Sequence, residues 1–296
     1  MLDVKLILCS VDFSEFSITA YHYALSVAEH YRAKLVAQHV VELSRYPYAD
    51  FAASEGDYMG FCQAMREGGK QELREFVKKQ TNNEVQVEPV VQEGTAPDCI
   101  LSFAQERKAD LIIMGTHGRR GYDRLVLGSV TNRVMRRASC PVLGVRILPH
   151  ESEATGEEQH HVHRLNRILF CTDFSENSER ALKWAISATA EYNSDLTLLY
   201  VLEEAPSPAK TEAAIATATE QLYKLIPPEA RKTLKIKTAV RIGKPYQQII
   251  ELAEKAQIDM IAMAVHGRGA LDLAVFGSTT LRVLQLGPCP VLAVHV

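Results

Sequence analysis

The chain has 296 residues, 47% hydrophobic, 23% charged and 7% aromatic. That length suits about two domains, and the composition fills ordinary cores and excludes disorder and collagen-like repeats. Lys+Arg 33 against Asp+Glu 36 gives a formal charge of -3, so no global positive field gathers polyanions and no nucleic-acid partner is expected.

Short apolar runs alternate with longer amphipathic ones from the start. Val4–Cys9, Lys34–Val41, Val85–Val91, Leu111–Gly115 and Val142–Val145 read as strands: they are short, rich in Val, Ile and Leu, and bounded by polar residues. Between them, Ser17–Glu29, Gly60–Lys79, Pro97–Glu106 and Ser129–Arg137 carry helical spacing, with Ser, Gly or Pro at or near their starts. Pro149–His163 is polar, acidic and without apolar periodicity, and reads as a linker over 149–163 joining a domain 1–148 to a domain 164–296. Its His160, His161 and His163, after Glu157 and Glu158, form either a solvated segment or a transition-metal cluster. The second half repeats the strands as Ile168–Cys171, Asp195–Val201, Lys235–Val240, Met260–Ala264 and Val291–Val294. Such alternation of short units predicts doubly wound, parallel α/β sheets.

The repetition is direct. Asp12-Phe13-Ser14-Glu15 returns as Asp173-Phe174-Ser175-Glu176, and His39-Val40 as Tyr200-Val201, 161 residues on. Further along, His117-Gly118-Arg119 returns as His266-Gly267-Arg268, Gly128-Ser129 as Gly277-Ser278, and Cys140-Pro141-Val142-Leu143 as Cys289-Pro290-Val291-Leu292, now 149 residues on. One unit has been duplicated, and the copies differ mainly in the stretch containing Ser44–Tyr58.

The longest apolar runs, such as Leu6–Cys9 and Met260–Val265, are far shorter than the ~18–20 residues a membrane helix needs, so no membrane partner is expected. The N-terminal run lacks a small-residue cleavage pattern, which favours a cytoplasmic protein. Six cysteines, spread without a C-x-x-C pair, suit reduced thiols.

Ligands of a doubly wound sheet lie at the carboxyl ends of its strands. There the first copy places Gly115-Thr116-His117-Gly118, nine residues, and Gly128-Ser129 opening a helix. Free N–H groups and the positive end of the helix dipole suit a phosphate; the alternative is that the glycines only form turns. Neither a Walker lysine motif nor a G-x-G-x-x-G fingerprint is present, which disfavours P-loop hydrolases and dinucleotide binders. Asp12, ending the first strand, suits sugar hydroxyls or a divalent cation such as Mg²⁺ beside phosphates, or else caps the following loop through Ser14. Val40, at the end of the second strand, either offers backbone groups and an apolar surface to a base or is ordinary core. Arg119 and Arg268, one residue past the second glycine of each copy, either reach phosphate oxygens or stay solvated. His117 and His266 suit a structural loop hydrogen bond better than proton transfer or metal binding.

With these residues in view, the chain resembles a tandem universal stress protein, along nearly its whole length. The family's nucleotide-binding pattern, G-2x-G-9x-G-(S/T), is met in full by Gly115, Gly118, Gly128 and Ser129. The resemblance implies two tandem five-stranded parallel sheets of the adenine nucleotide alpha hydrolase-like, flavodoxin-like kind, and a site for ATP or a related adenine nucleotide. By that analogy Asp12 holds the ribose, Val40 the adenine, Gly115 and Gly118 the ribose-phosphate region, and Gly128 with Ser129 the outer phosphates. The second copy keeps Asp173, Val201, Gly267, Gly277 and Ser278 but has Ala264 in place of the first glycine, whose Cβ would either crowd the ribose or be tolerated. The resemblance also implies an intramolecular pseudo-dimer through the last strands and leaves a homodimer open. The expected role is a nucleotide-dependent switch in stress response, with slow hydrolysis or none; the rivals are a nucleotide-independent scaffold and a low-rate metal-dependent ATPase.

Overall fold

The structure, a computed structural model, describes residues 3–43, 55–81, 85–118, 127–146, 165–204, 208–266 and 277–295. The chain divides into two compact units. The first is built of β1 (Leu6–Ser10), α1 (Glu15–Tyr31), β2 (Lys34–Val41), α2 (Glu55–Gln80), β3 (Val87–Glu93), α3 (Ala96–Arg107), β4 (Leu111–Gly115), α4 (Ser129–Arg137) and β5 (Val142–Val145). The second has β6 (Arg167–Thr172), α5 (Glu176–Tyr192), β7 (Asp195–Leu202), α6 (Pro208–Leu225), α7 (Pro228–Thr233), β8 (Lys235–Ile242), α8 (Pro245–Lys255), β9 (Met260–Ala264), α9 (Ser278–Leu286) and β10 (Val291–Val294).

Every strand pairing within each unit is parallel, in the order β3-β2-β1-β4-β5 in the first and β8-β7-β6-β9-β10 in the second. The doubly wound α/β architecture expected from the alternation is therefore present twice. The central strands are the apolar runs: Ile7, Leu8, Leu35, Ile112, Ile113, Ile168 and Leu169 are fully buried, as strands covered on both faces by helices must be. Strand order reverses between β1 and β4, and between β6 and β9. The crevice at that reversal, beyond the carboxyl ends of the strands, is where such sheets bind ligands.

Element limits differ from the sequence reading for local reasons. β1 begins at Leu6 rather than Val4, because Asp110 Oδ2 accepts the N–H groups of Lys5 and Leu6 at 2.8 and 2.9 Å. Asp259 does the same for Asn166 and Arg167 at 2.7 and 2.8 Å. β3 runs to Glu93, two residues further than expected, in register with β2 up to Val41. The short helix α7 escaped the pattern reading, although Pro228 at its start and Glu229 in its first turn are ordinary helix-opening residues. No helix among the described residues is long and apolar enough to cross a membrane. All six cysteines are unpaired.

Candidate functional site

The site begins where β1 ends. Asp12 enters a tight turn in which Phe13 takes a left-handed backbone, φ 64°, at a cost of about 1–2 kcal/mol for a residue with a Cβ. The turn is held by hydrogen bonds on both sides. Ser14 donates to Asp12 Oδ1 from its backbone N–H at 3.1 Å and its hydroxyl at 2.5 Å. Ser14 Oγ in turn accepts the Ser17 N–H at 3.3 Å and so caps α1, and Asp12's own N–H donates to Ser17 Oγ at 3.3 Å. The capping bond read from the sequence is thus present, and it leaves Asp12 Oδ2 pointing elsewhere.

Oδ2 points at the glycine loop after β4: a Cβ on Gly118 would lie 2.6 Å from it. Gly115, at the end of β4, has a different neighbour. A Cβ there would meet the backbone and Cβ of Phe16 in α1 at 2.9 Å, so its missing side chain lets the strand end pack against the helix. Gly128 caps α4: its N–H donates to Thr116 O at 2.9 Å and its carbonyl accepts the Asn132 N–H at 2.8 Å. Ser129 opens the helix with an exposed side chain. The first turn of α4 is tied to β4 by Thr131, buried at 3% exposure, whose hydroxyl donates to Gly115 O at 2.8 Å.

Val40 lies one residue before the end of β2. Alternate residues of a parallel strand turn both backbone groups to opposite neighbours. The Gln38 carbonyl accepts the Val11 N–H at 2.8 Å on the β1 side, and the Val41 carbonyl accepts the Gly94 N–H at 3.3 Å on the β3 side. Val40 therefore turns its N–H and C=O toward β1, which has already ended at Ser10. A donor and an acceptor side by side at a strand end match the edge of a purine.

The second unit reproduces the turn, the strand end and the capped helix. Asp173 Oδ1 accepts the Ser175 N–H at 3.0 Å and hydroxyl at 2.6 Å, and Phe174 has φ 60°. Leu202 O accepts the Gly243 N–H at 2.9 Å, which turns Val201 toward the end of β6. Gly277 caps α9 and donates to Val265 O at 3.2 Å, Ser278 opens the helix, and Thr280 donates to Ala264 O at 3.1 Å. The Gly115–Phe16 contact corresponds here to Ala264 and Asn177.

His117 is 4% exposed, its Nδ1 is 3.0 Å from the Thr116 hydroxyl, and its ring packs 5.0 Å from that of Phe16. This is the structural loop role. Among the described residues no group of three His, Cys, Asp or Glu is placed to hold a metal. Arg119, Gly267 and Arg268 lie outside the described residues, as do the linker histidines His160, His161 and His163. Sequence reasoning missed Thr131 and Thr280, although the shared Gly-Ser-x-Thr of the two copies was a usable signal. It also missed any role for Phe13 and Phe174.

A sequence model described as the universal stress protein family matches residues 4–146 and again 164–295. A universal stress protein of Methanocaldococcus jannaschii is 35% identical over 142 residues, covering 48% of this chain and 82% of that protein. A universal stress protein A homolog of Coxiella burnetii is 32% identical over 137 residues, 43% of this chain and 94% of that one. Among solved structures, a universal stress protein from Archaeoglobus fulgidus superposes with a TM-score of 0.70 at 19% identity, covering 98% of this chain and 95% of its own. Another from Pseudomonas aeruginosa, described as a putative universal stress protein, gives 0.65 at 14% identity, covering 98% and 93%.

Proposed function

The chain belongs to the universal stress protein family, and from that premise we propose that its first unit binds ATP or a related adenine nucleotide and uses the bound state as a switch for association with partners. One observation supports this most directly: an oriented carboxylate, a strand-end pair of backbone groups and a glycine-capped helix N-terminus all stand at the carboxyl ends of β1, β2 and β4, across the strand-order reversal. In this reading Asp12 accepts the ribose hydroxyls, the Val40 N–H and C=O pair with the adenine edge, and the loop of Gly115 and Gly118 borders the ribose and first phosphate. The N-terminal amides of α4, with Gly128, Ser129 and the Arg119 guanidinium, receive the outer phosphates.

The donor set fits this ligand. A cradle that a Cβ at Gly118 would fill faces a carboxylate, and Gly128 keeps the start of α4 without a side chain. Mg²⁺, bound with the nucleotide, would supply neutralisation of phosphate charge. The second unit, with Asp173, Val201, Gly267, Arg268, Gly277 and Ser278, is proposed as a second site.

The test is calorimetric titration of Mg²⁺-ATP into protein freed of co-purified nucleotide, with phosphate release followed in parallel. One or two adenine-specific sites with negligible phosphate release are expected. No binding would leave the nucleotide-independent scaffold as the better reading, and metal-dependent phosphate release lost on changing Asp12 would make the protein a slow ATPase.

A further inference from the structure

In both units the residue after the aspartate packs on the residue before the strand-end valine. The Phe13 ring lies 4.6 Å from that of His39, and the Phe174 ring 4.4 Å from that of Tyr200, at nearly the same tilt of 41° and 42°. Both phenylalanines hold left-handed backbones, φ 64° and 60°, a conformation that bulky residues keep only where the surroundings enforce it. Phe13 is also packed edge-on by Phe76 of α2 at 5.7 Å. In the first unit a hydrogen bond reinforces the stack: His39 Nδ1 lies 2.8 Å from the Val11 carbonyl, so Nδ1 carries the proton and donates. In the second unit Tyr200 has no such donor at that place, and Thr172 instead ties its own turn by accepting the Phe174 N–H at 3.0 Å. The ring contact is what the two copies share.

We infer that Phe13 and His39 in the first unit, and Phe174 and Tyr200 in the second, are positioning residues that lock the carboxylate-bearing turn onto the strand that presents the purine-binding backbone groups. The inference rests on the nucleotide-binding reading and extends it. The stack fixes the spacing between the sugar contact of Asp12 and the base contact of Val40, so it sets selectivity for adenine nucleotides as well as affinity. A strained turn released from its stack relaxes, and Asp12 then no longer stands at a defined distance from Val40.

The experiment compares Kd values for Mg²⁺-ATP and Mg²⁺-GTP in a full-length chain carrying Asp173→Ala, so that the first site is read alone, with thermal melts alongside. Phe13→Ala and His39→Ala are expected to weaken ATP binding by ~tenfold and to narrow the ATP/GTP ratio by a similar factor. His39→Tyr, which installs the ring found in the second unit, is expected to keep the ratio within about twofold of the parent. A purely structural contact would lower the melting temperature and leave the ratio of the folded protein unchanged. An unchanged ratio in folded His39→Ala, or a His39→Tyr variant as defective as His39→Ala, overturns the inference while the binding reading stands. If the parent chain binds neither nucleotide, both readings fall together.

Discussion

Gly118 stands against the outer carboxylate oxygen of Asp12, so closely that a Cβ there would lie 2.6 Å from Oδ2. Asp12's other oxygen is taken by Ser14, so an added side chain must push the carboxylate out of its set orientation. Gly118→Ala is expected to weaken nucleotide binding by ~tenfold or more, measured by calorimetry. Loss of stability should stay within about 1 kcal/mol, because the displaced group sits at a partly exposed loop. A folded Gly118→Ala protein binding as tightly as its parent would show that Asp12 does not face the ligand.

Gly115 and Ala264 occupy the same place in the two copies, and the structure separates their roles from that of Gly118. A Cβ at Gly115 meets Phe16 backbone atoms at 2.9 Å, and backbone gives way less readily than a side-chain tip. Gly115→Ala is therefore expected to destabilise the first unit by about 1–3 kcal/mol through overpacking, read from urea unfolding. Ala264→Gly should cost the second unit about 0.5–1 kcal/mol through backbone entropy. Any nucleotide affinity of that unit should stay the same, because a Cβ at the equivalent Gly115 meets the helix residue Phe16. A gain of binding in Ala264→Gly would restore the view that the alanine crowds a ribose.

Much of this was legible in the sequence, and the reason is periodicity. Doubly buried strands such as Ile7–Cys9 and Ile112–Met114 leave unbroken apolar runs, and a duplicated unit writes each signal twice. The Asp12–Ser14 bond was legible because it spans two residues. The Phe13–His39 stack was not: the partners are far apart in the chain, and a phenylalanine beside a strand reads as ordinary core until its backbone angle is known. The neighbour of Gly115 was not legible either: a glycine's pattern does not tell that Phe16 stands against the place of its missing side chain.

Ser14 joins two functions that a single substitution can separate. As the N-cap of α1 it accepts the Ser17 N–H at 3.3 Å, and as a donor it holds Asp12 at 2.5 Å. Ser14→Ala loses both and is expected to cost about 1 kcal/mol of stability, together with a drop in nucleotide affinity. Ser14→Gly keeps a tolerable cap, costing only a few tenths of a kcal/mol, yet still removes the hydroxyl bond to the carboxylate and leaves it only the backbone N–H at 3.1 Å. Affinity falling equally in both variants, with stability falling mainly in the alanine one, is the expected pattern. Affinity that follows stability alone would deny Ser14 any part in orienting Asp12.

The cysteines give a pH dependence whose sign follows from burial. Burial pushes the thiols of Cys140 and Cys289 up to about 12 and raises those of Cys9 and Cys171 as well. An unfolded thiol releases its proton near ~8.5. Below that pH both states are protonated and these groups leave stability unaffected by pH. Above it the unfolded chain loses protons that the folded chain keeps, so stability falls as pH rises toward the folded values. Urea midpoints measured from pH 7 to pH 10 should therefore decline at the upper end, and Cys140→Ala should flatten part of that slope. In the native protein a thiol reagent at pH 8 should react first at Cys99, the one cysteine that is not buried, with the rest modified only on unfolding. Rapid native modification of Cys9 or Cys171 would mean that the central strands open far more often than their burial implies.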